Sequence, residues 1–291
     1  MNKNKVVIIG SGIAGMSSAI YLKRGGLNPI IIENKSPGGT LNIIPTIENY
    51  PGYKEISGPD LAMNIYNQAI DLGIEYLYKE IKEIDIKNKI INNEITFDYL
   101  VIATGRRPRL LNINNELEYL GKGISTCALC DGMFYKDKKV IVLGGASSAL
   151  TESLYLSNIA SKVTIIHRGS TFTGEQNLID KVNNSKNIET IYNTNVIKYN
   201  IENNKLISVT LDTNEEIETE AVFLSIGSIP NSELFDVEKI DGYIKVNDHY
   251  ETNIDYVYAI GDVIKKEVYQ LVTASSDGII VSNNIIKRIN N

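Results

Sequence analysis

A stretch near the start of the chain, Lys5–Glu33, reads KVVIIGSGIAGMSSAIYLKRGGLNPIIIE. An apolar run of strand length, 5–9, leads into three glycines with the spacing Gly-x-Gly-x-x-Gly, then a helical stretch (13–23) and a second strand-like run (29–33). In such a turn the first glycine permits the tight bend, the second lets backbone approach a pyrophosphate, and the third lets helix and strand pack closely. Glu33 adds a carboxylate that can accept hydrogen bonds from ribose hydroxyls. The stretch therefore predicts an α/β dinucleotide-binding unit.

The same strand–glycine–helix pattern occurs a second time. Lys139–Leu143 is its strand, 144–146 its turn, Ser148–Ile159 its helix and Lys162–His167 its second strand. Between the two units, the pair Asn92–Asn93 joins two strand-like runs and predicts a hairpin. Alternation of short β-branched runs with helical stretches indicates an α/β fold.

Composition limits the class of protein. The chain has 291 residues, which is typical of about two domains. It is 43% hydrophobic and 22% charged, as in soluble globular proteins, and its net charge of -6 argues against a dedicated nucleic-acid binder. No apolar run reaches the ~18 residues of a membrane helix. The apolar start resembles a signal peptide, but the glycines interrupt it, so we expect a cytoplasmic chain that is mature as written.

Cys127 and Cys130 are the only cysteines, and they form a C-x-x-C pair. A zinc site needs two further ligands, and the two histidines are isolated, so we expect no metal. A structural disulfide would close a very short loop and stabilise little, while two inert buried thiols remain an alternative. A redox-active dithiol beside a nucleotide-binding pattern is favoured. Asp131 follows at once and could relay a proton to or from a thiolate.

Taken together, these motifs resemble the low-molecular-weight thioredoxin reductases over nearly the whole chain. The matching segments are 10–15 with Glu33, 37–41, 47–52, 103–105, 127–132 and 258–263. Thr40 stands where the family usually has glutamine. The resemblance implies FAD as cofactor, and the implied FAD-binding residues are Gly10, Ser11, Gly12, Ile13, Ala14, Gly15, Glu33, Asn34, Gly38, Gly39, Thr40, Leu41, Asn49, Ala103, Thr104, Gly105, Gly261, Asp262, Gln270 and Leu271.

The resemblance also implies the architecture and the roles of the cysteines. Two Rossmann-like, three-layer ββα domains are expected, the second inserted in the first. An FAD-binding domain would comprise 1–113 and 242–291, and a redox-disulfide domain with a degenerate NADPH-type site would comprise 114–241. Cys130 would face the flavin, Cys127 would form the mixed disulfide with thioredoxin, and Asp131 would manage the leaving thiolate. Members of the family are homodimers.

The second nucleotide site departs from the family pattern. Its middle glycine is replaced by Ala146. Gly169 and Thr173 occupy the positions of two arginines that hold the 2′-phosphate of NADPH, and Tyr269 replaces a further arginine. Losing two charge-assisted contacts should cost several kcal/mol, at about 1.5–3 each. The pattern therefore speaks against NADPH binding.

Three routes for the electrons are compatible with these departures: NADH as donor, ferredoxin as donor, or oxygen as acceptor. NADH needs no phosphate clamp, but the strand Lys162–His167 does not end in a carboxylate for the ribose. Ferredoxin as donor would match the clostridial-type ferredoxin-dependent flavin thioredoxin reductases, and we favour it. An FAD dithiol oxidase using oxygen, an ordinary NAD(P)H-dependent thioredoxin reductase and a flavin-binding redox sensor remain alternatives. An acidic ferredoxin would need a basic patch, for which 106–109 and 136–139 are candidates.

Overall fold

The computed structural model describes residues 5–290, so the predicted domain limits at residues 1 and 291 lie outside the described part. The chain divides into two compact units. The first contains the chain up to Asn42, Ile47–Arg107 and the segment from Ile229 onwards, and the second contains Ile43–Thr46 and Pro108–Ser228. The predicted FAD-binding and redox-disulfide domains follow the same order along the chain, but their predicted limits at 113 and 241 lie later in the sequence than the limits of the two units. The assignment of these two domains stays a prediction.

The first part of the chain begins as its sequence predicts. Strand β1 (Val6–Ile9) leads into helix α1 (Ile13–Arg24) and strand β2 (Ile30–Glu33). A short 3-10 turn follows, and then helix α2 and six strands: Gly39–Ile43, α2 (Gly58–Asp71), β3 (Glu75–Tyr78), β4 (Ile84–Asp85), β5 (Ile90–Ile91), β6 (Ile95–Thr96), β7 (Tyr99–Ile102) and β8 (Arg106–Pro108). Asn92 and Asn93 both have positive φ between the antiparallel strands β5 and β6, which confirms the predicted hairpin.

The middle of the chain contains the second strand–glycine–helix unit. Its elements in order are α3 (Glu116–Tyr119), β9 (Ile124–Ser125), α4 (Ala128–Asp131), a 3-10 turn (Gly132–Tyr135), β10 (Lys139–Leu143), α5 (Ser147–Ser157), β11 (Lys162–Ile166), α6 (Gln176–Asn183), β12 (Ile188–Ile191), β13 (Val196–Glu202), β14 (Lys205–Leu211), β15 (Glu216–Glu218), β16 (Ala221–Leu224) and β17 (Ser228–Pro230). The chain ends with β18 (Lys239–Ile240), β19 (Tyr243–Ile244), β20 (Val257–Ala259), a 3-10 turn (Gly261–Val263) and α7 (Leu271–Asn290).

The first unit is built on a parallel five-stranded sheet with the order β20-β7-β1-β2-β3. β1 lies in its centre, where Ile9 is in register with Ile32 and Ile102, and all four of its residues are buried. A continuous apolar run is what a parallel strand covered on both faces requires. The glycine turn therefore leaves the carboxyl end of the central strand, the edge at which such sheets bind ligands.

The second unit has three layers. Its parallel sheet, β12-β11-β10-β16-β9, carries helix α5 on one face and the antiparallel strands β13-β14-β15 on the other. Alternate residues of β10 divide between the two faces: Val140 and Val142 pack with α5, whereas Ile141 and Leu143 pack with the antiparallel strands. This arrangement confirms the predicted α/β class. Within residues 5–290, no helix is both long and apolar enough to cross a bilayer.

Candidate functional site: a glycine cradle and a redox disulfide

Two glycines of the first cluster, Gly10 and Gly15, are required because the surrounding backbone leaves no room for a side chain. Gly10 has φ of +103°, and a Cβ there would lie 2.4 Å from the carbonyl oxygen of Ala103. A Cβ on Gly15 would lie 2.0 Å from the carbonyl oxygen of Gly10. Real Cβ atoms do not come that close to backbone oxygen, so any side chain would push α1 away from the sheet.

Gly12 is different, because the space beside it is not filled by protein. It has extended backbone with φ of −66°, and a Cβ there would meet no atom within 4 Å. It is also the N-cap of α1, which has no side-chain cap and no acidic residue in its first turn, although Ile13–Gly15 are buried. A buried helix N-terminus without a cap leaves N–H groups for an anion. The turn Gly10–Gly15, which we call the glycine cradle, therefore fits the pyrophosphate of a dinucleotide such as FAD.

The carboxylate of Glu33 is held in place by four hydrogen bonds. One oxygen accepts from the backbone N–H and the hydroxyl of Ser11, both at 3.1 Å. The other accepts the backbone N–H groups of Asn34 at 2.9 Å and Lys35 at 3.1 Å. Tyr76 donates its hydroxyl to the Ser11 oxygen at 3.1 Å, and burial raises the pKa of Tyr76 to about 12, so it remains a donor. Sequence reasoning missed Tyr76, because nothing in its neighbourhood marks a contact with a residue 65 positions away.

Several predicted FAD-binding residues from distant segments lie together in the first unit. Gly38 and Gly12 form an isolated parallel β-bridge. A Cβ on Gly261 would lie 2.9 Å from the Cβ of Ala14, so the Gly261 turn lies against α1. The amide of Asn49 donates to the side-chain oxygen of Gln270 at 3.3 Å. The remaining positions differ in exposure: Asn34, Gly39 and Thr40 are exposed, Thr104, Gly105, Asp262 and Leu271 are half-buried, and Leu41 and Ala103 are buried. Whether each binds FAD stays a prediction.

Cys127 and Cys130 form a disulfide at the start of α4, with sulfurs 2.07 Å apart. The Cys127 sulfur is the N-cap of that helix and accepts the backbone N–H of Cys130 at 3.0 Å. Cys127 is 7% exposed, whereas Cys130 is exposed. The pair is thus a disulfide and not two separate inert thiols, and the helix N-terminus would stabilise negative charge on the Cys127 sulfur after reduction.

The surface next to the disulfide combines one acid with apolar side chains. Asp131 is half-buried, and its charge, together with burial as the larger cause, raises the pKa of Tyr135. Met133 is 60% exposed and Phe134 is 80% exposed. Large apolar side chains left in water beside a reactive disulfide are typical of a protein-docking surface.

The second glycine turn, 144–146, has a backbone conformation similar to that of the first, 10–12. Gly144 has φ of +142°, and a Cβ there would lie 2.3 Å from the carbonyl oxygen of Ser225. Ala146 occupies the N-cap with φ of −94°, a conformation open to any L-residue. The N–H of Thr173 donates to the Gly145 carbonyl at 2.8 Å, as the N–H of Gly38 donates to the Ser11 carbonyl at 2.9 Å.

The side chains around this second turn do not supply a phosphate clamp. The ring of His167 covers Gly145, since a Cβ on Gly145 would lie 2.5 Å from it. Gly169 has no side chain, and the hydroxyl of Thr173 points back to the Gly145 carbonyl at 3.5 Å. Arg168 is the only cation that the segment 167–175 carries. The turn therefore keeps the backbone conformation of the first glycine turn, but Gly169 and Thr173 place no cationic side chain beside it.

A buried carboxyl lies on α5 behind this turn. Glu152 is 8% exposed and accepts the hydroxyl of Ser225 at 2.6 Å. Burial raises the pKa of Glu152 from 4.5 to about 7, and the hydrogen bond from Ser225 only partly opposes this. Because the folded state binds the proton more tightly than the unfolded state, this group contributes most to stability below pH 4.5, and that contribution is lost as the pH rises to about 7.

Glu152→Gln should therefore flatten the pH dependence of stability. Between pH 4.5 and 7.5 we expect the wild type to lose about 3 kcal/mol of unfolding free energy relative to the variant, at 1.36 kcal/mol per pKa unit. Urea unfolding across this range measures the difference. Glu202→Gln, at an exposed strand position of the same unit, is the control and should follow the wild type. Parallel pH profiles for wild type and Glu152→Gln would contradict the assignment.

The two basic clusters at 106–109 and 136–139 are partly neutralised by ion pairs. Arg107 pairs with Glu233 at 2.6 Å and Lys139 with Glu218 at 2.8 Å. Arg106 instead stacks on the ring of Tyr269, 4.5 Å from its centroid. Within the part of the chain that the structure describes, no three His, Cys, Asp or Glu side chains are grouped as metal ligands.

Comparison with known proteins agrees with this geometry. A family model described as pyridine nucleotide-disulphide oxidoreductase matches residues 4–278. Thioredoxin reductase of Bacillus subtilis is 37% identical over 293 residues, covering 96% of this chain and 93% of the relative. The crystal structure of Lactococcus lactis thioredoxin reductase matches with a TM-score of 0.94 at 33% identity, covering 99% of both chains. The structure of T. acidophilum thioredoxin reductase matches with a TM-score of 0.92 at 30% identity, also covering 99% of both chains.

The family predicted from the motifs is thereby confirmed. The glycine cradle, the C-x-x-C disulfide and the Gly261–Asp262 turn occur in one chain that matches these relatives over 96–99% of its length. This chain belongs to the pyridine nucleotide-disulphide oxidoreductase family, and within it to the low-molecular-weight thioredoxin reductases.

Proposed function

We propose that this protein is an FAD-dependent thioredoxin-disulfide reductase that passes electrons through Cys127 and Cys130 to thioredoxin. The observation that carries the proposal is the disulfide at the N-terminus of α4, flanked by exposed Met133 and Phe134. A disulfide reductase needs a reducible pair that a protein substrate can reach, and the apolar side chains offer that substrate a surface. The similar proteins from B. subtilis and L. lactis are both called thioredoxin reductase.

The residues of the first unit fit FAD. The uncapped N-terminus of α1 would hold the pyrophosphate and Glu33 would accept the ribose hydroxyls. By the resemblance to the family, Asp262 would accept the ribitol hydroxyls. When bound, FAD supplies a carrier that accepts two electrons and delivers them to a disulfide. Ser11 and Tyr76 hold the Glu33 carboxylate in position for this binding.

The dithiol half of the reaction balances through the two cysteines. Two electrons and two protons convert the Cys127–Cys130 disulfide into two thiols. Following the predicted roles, the Cys127 thiolate attacks one sulfur of the thioredoxin disulfide, and the other sulfur leaves as a thiolate that takes a proton. Cys130 then attacks the Cys127 sulfur, which restores the disulfide and releases the second thioredoxin thiol. Asp131 would manage these protons.

The electron donor that we propose is ferredoxin. Support comes from the second glycine turn, whose backbone is kept while Gly169 and Thr173 leave the 2′-phosphate of NADPH without cationic partners. The main alternative is an NADPH-dependent enzyme, which the kept turn itself favours. We also propose a cytoplasmic homodimer with an FAD-binding domain at 1–113 and 242–291 and a disulfide domain at 114–241.

Anaerobic reduction of the flavin distinguishes the donors. The purified yellow protein is mixed with thioredoxin and then with photoreduced ferredoxin, NADPH or NADH, while flavin absorbance is followed. We expect ferredoxin alone to bleach the flavin and reduce thioredoxin. Rapid bleaching by NADPH would overturn the ferredoxin proposal and leave an ordinary thioredoxin reductase. Thioredoxin that stays oxidised with every donor would overturn the reductase proposal itself.

Restoring the missing arginines tests the physical reason for the donor choice. Gly169→Arg combined with Thr173→Arg should raise NADPH affinity by about 100-fold, because two charge-assisted contacts at about 1.5–3 kcal/mol each are offset partly by the cost of ordering the side chains. Affinity is measured by equilibrium titration with NADPH, with NADH as the control ligand that has no 2′-phosphate. Equal gains for both nucleotides would contradict the phosphate-clamp explanation.

A further inference from the structure

A buried serine precedes the redox disulfide, and neither the sequence motifs nor the proposed function gives it a role. Ser125 is the last residue of strand β9 and is 4% exposed. Its hydroxyl oxygen accepts the backbone N–H of Cys127 at 3.0 Å, and the same hydroxyl donates to the Cys127 carbonyl at 3.3 Å. A serine hydroxyl can do both, because it carries one donor and two acceptor lone pairs. We call these two hydrogen bonds the Ser125 clamp.

The Ser125 clamp joins Cys127 to the parallel sheet of the second unit. Strand β9 pairs with β16, where Ser125 is in register with Phe223, and both Ile124 and Phe223 are fully buried. Residues packed in this way have little freedom to move. If Cys127 moved away from β9, both bonds of the clamp would break and a buried N–H would lose its acceptor, which is costly. The sheet therefore sets the position of the Cys127 backbone.

Cys127 is the junction between this strand and the helix that carries Cys130. Its backbone is extended, with φ of −146°, and its carbonyl accepts the N–H of Asp131 at 3.2 Å, the first hydrogen bond of α4. Its sulfur accepts the N–H of Cys130 at 3.0 Å. The Ser125 clamp involves only backbone atoms of Cys127, so it does not depend on the bond between the two sulfurs. When the disulfide is reduced, that bond is lost and the clamp is retained.

We propose that Ser125 is a positioning residue for the redox pair: its hydroxyl holds Cys127 against β9 after reduction, so that the sulfurs of Cys127 and Cys130 stay within reach and the disulfide closes again quickly. This inference rests on the proposed dithiol relay and adds to it what sets the rate of the closing step. Holding two reacting groups in place gives them a high effective concentration. Without the clamp, Cys127 occupies additional positions from which the two sulfurs cannot react, and closure slows.

Closure can be timed with dithiobis-nitrobenzoate (DTNB), a small aromatic disulfide. One cysteine thiolate attacks DTNB, which forms a mixed disulfide on the protein and releases one thionitrobenzoate. The second thiolate then attacks the mixed disulfide, which releases the second thionitrobenzoate and restores the bond between Cys127 and Cys130. Two protein thiols are oxidised, DTNB is reduced to two thiolates, and two protons pass to solvent. Acid quenching followed by intact mass measurement counts the protein that carries the adduct, whichever sulfur reacted first.

The reduced holoprotein and its Ser125 variants are compared in this reaction. Ser125→Ala should lower the first-order rate at which the adduct disappears by about tenfold, because two hydrogen bonds that position one reacting group are lost. The adduct should therefore accumulate in this variant. Ser125→Thr keeps the hydroxyl and should close within about twofold of the wild-type rate.

Thr219 offers a matched control in the same unit. It is 2% exposed, and its hydroxyl makes the same two contacts with the backbone of Ala221, accepting the N–H at 3.3 Å and donating to the carbonyl at 2.8 Å. The same hydroxyl lies 3.1 Å from the carbonyl of Lys139, and it bonds neither cysteine. Thr219→Val removes this hydroxyl and should leave the closure rate unchanged, although it removes at least as many hydrogen bonds.

The outcomes separate this proposal from the function on which it rests. Closure at the wild-type rate in Ser125→Ala would overturn the proposal, as would equal slowing in Ser125→Ala and Thr219→Val. Thermal melting confirms that each variant is folded, and a folded Ser125→Thr that closes as slowly as Ser125→Ala would also overturn it. Closure that depends on Ser125, in a protein that leaves thioredoxin oxidised with every donor, would support this inference and overturn the proposed function. An adduct that persists in the wild type would overturn both.

Discussion

Replacing either Cys127 or Cys130 with serine is expected to lower turnover with thioredoxin by at least about 1,000-fold and to leave FAD binding unchanged. The loss is this large because the two sulfurs act as one unit, so that removing one abolishes the disulfide that carries the electrons. Both cysteines lie in the second unit, whereas the residues that fit FAD lie in the first. Steady-state reduction of thioredoxin and the absorbance spectrum of the bound flavin measure the two effects separately.

The two serine variants should differ from each other in the reduced protein. If Cys130 is the sulfur next to the flavin, the Cys127→Ser variant retains the Cys130 thiolate, which can form a long-wavelength charge-transfer band with the flavin. Cys130→Ser should lack that band. The structure supplies a reason to measure this directly, since Cys127 is buried and caps α4 while Cys130 is exposed. A band in Cys130→Ser alone would reverse the predicted roles of the two cysteines.

Gly12→Ala and Gly15→Ala should separate cofactor binding from folding. A methyl group on Gly12 meets no protein atom within 4 Å and suits its backbone conformation, so the stability of the apoprotein should change by less than about 0.5 kcal/mol. The same methyl group projects into the space where the pyrophosphate would approach the helix N-terminus. We expect roughly 100-fold weaker FAD binding, the loss of about one or two hydrogen bonds to a charged group.

Gly15→Ala should instead destabilise the protein with or without FAD. Its Cβ would lie 2.0 Å from the Gly10 carbonyl oxygen, and neither α1 nor β1 can move without opening the core. Overpacking of this kind costs about 3 kcal/mol. In the second unit the corresponding position is Ala149, and there a Cβ on Gly144 would lie 2.9 Å from the Ala149 side chain.

Chemical unfolding of apoprotein and FAD titration together check this pair of variants. Wild-type FAD affinity in Gly12→Ala would show that no phosphate approaches the cradle at this residue. Wild-type stability in Gly15→Ala would mean that helix and strand adjust more easily than their contacts indicate. The pair is informative because the two substitutions add the same methyl group three residues apart on one turn.

Features encoded by residues close in sequence could be predicted in advance. The cradle depends on glycines within six positions and the disulfide on cysteines three apart, so backbone geometry alone connects residue type to structure. The hairpin at Asn92–Asn93 follows the same logic, because these residues tolerate positive φ. The missing arginines at 169 and 173 were likewise visible as departures from a local pattern.

The sequence by itself therefore determined the α/β class, the family, the cradle and the reducible cysteine pair. Only the tertiary structure decided that Tyr76 donates to Ser11 beside Glu33, that Asp277 accepts the backbone N–H of Gly261, and that Cys127 is the buried sulfur. The physical reason is range: a hydrogen bond or an ion pair between distant segments depends on how strands and helices pack, and leaves no periodicity or spacing in the chain. Burial likewise belongs to the folded surface, because it depends on every element that packs around a side chain.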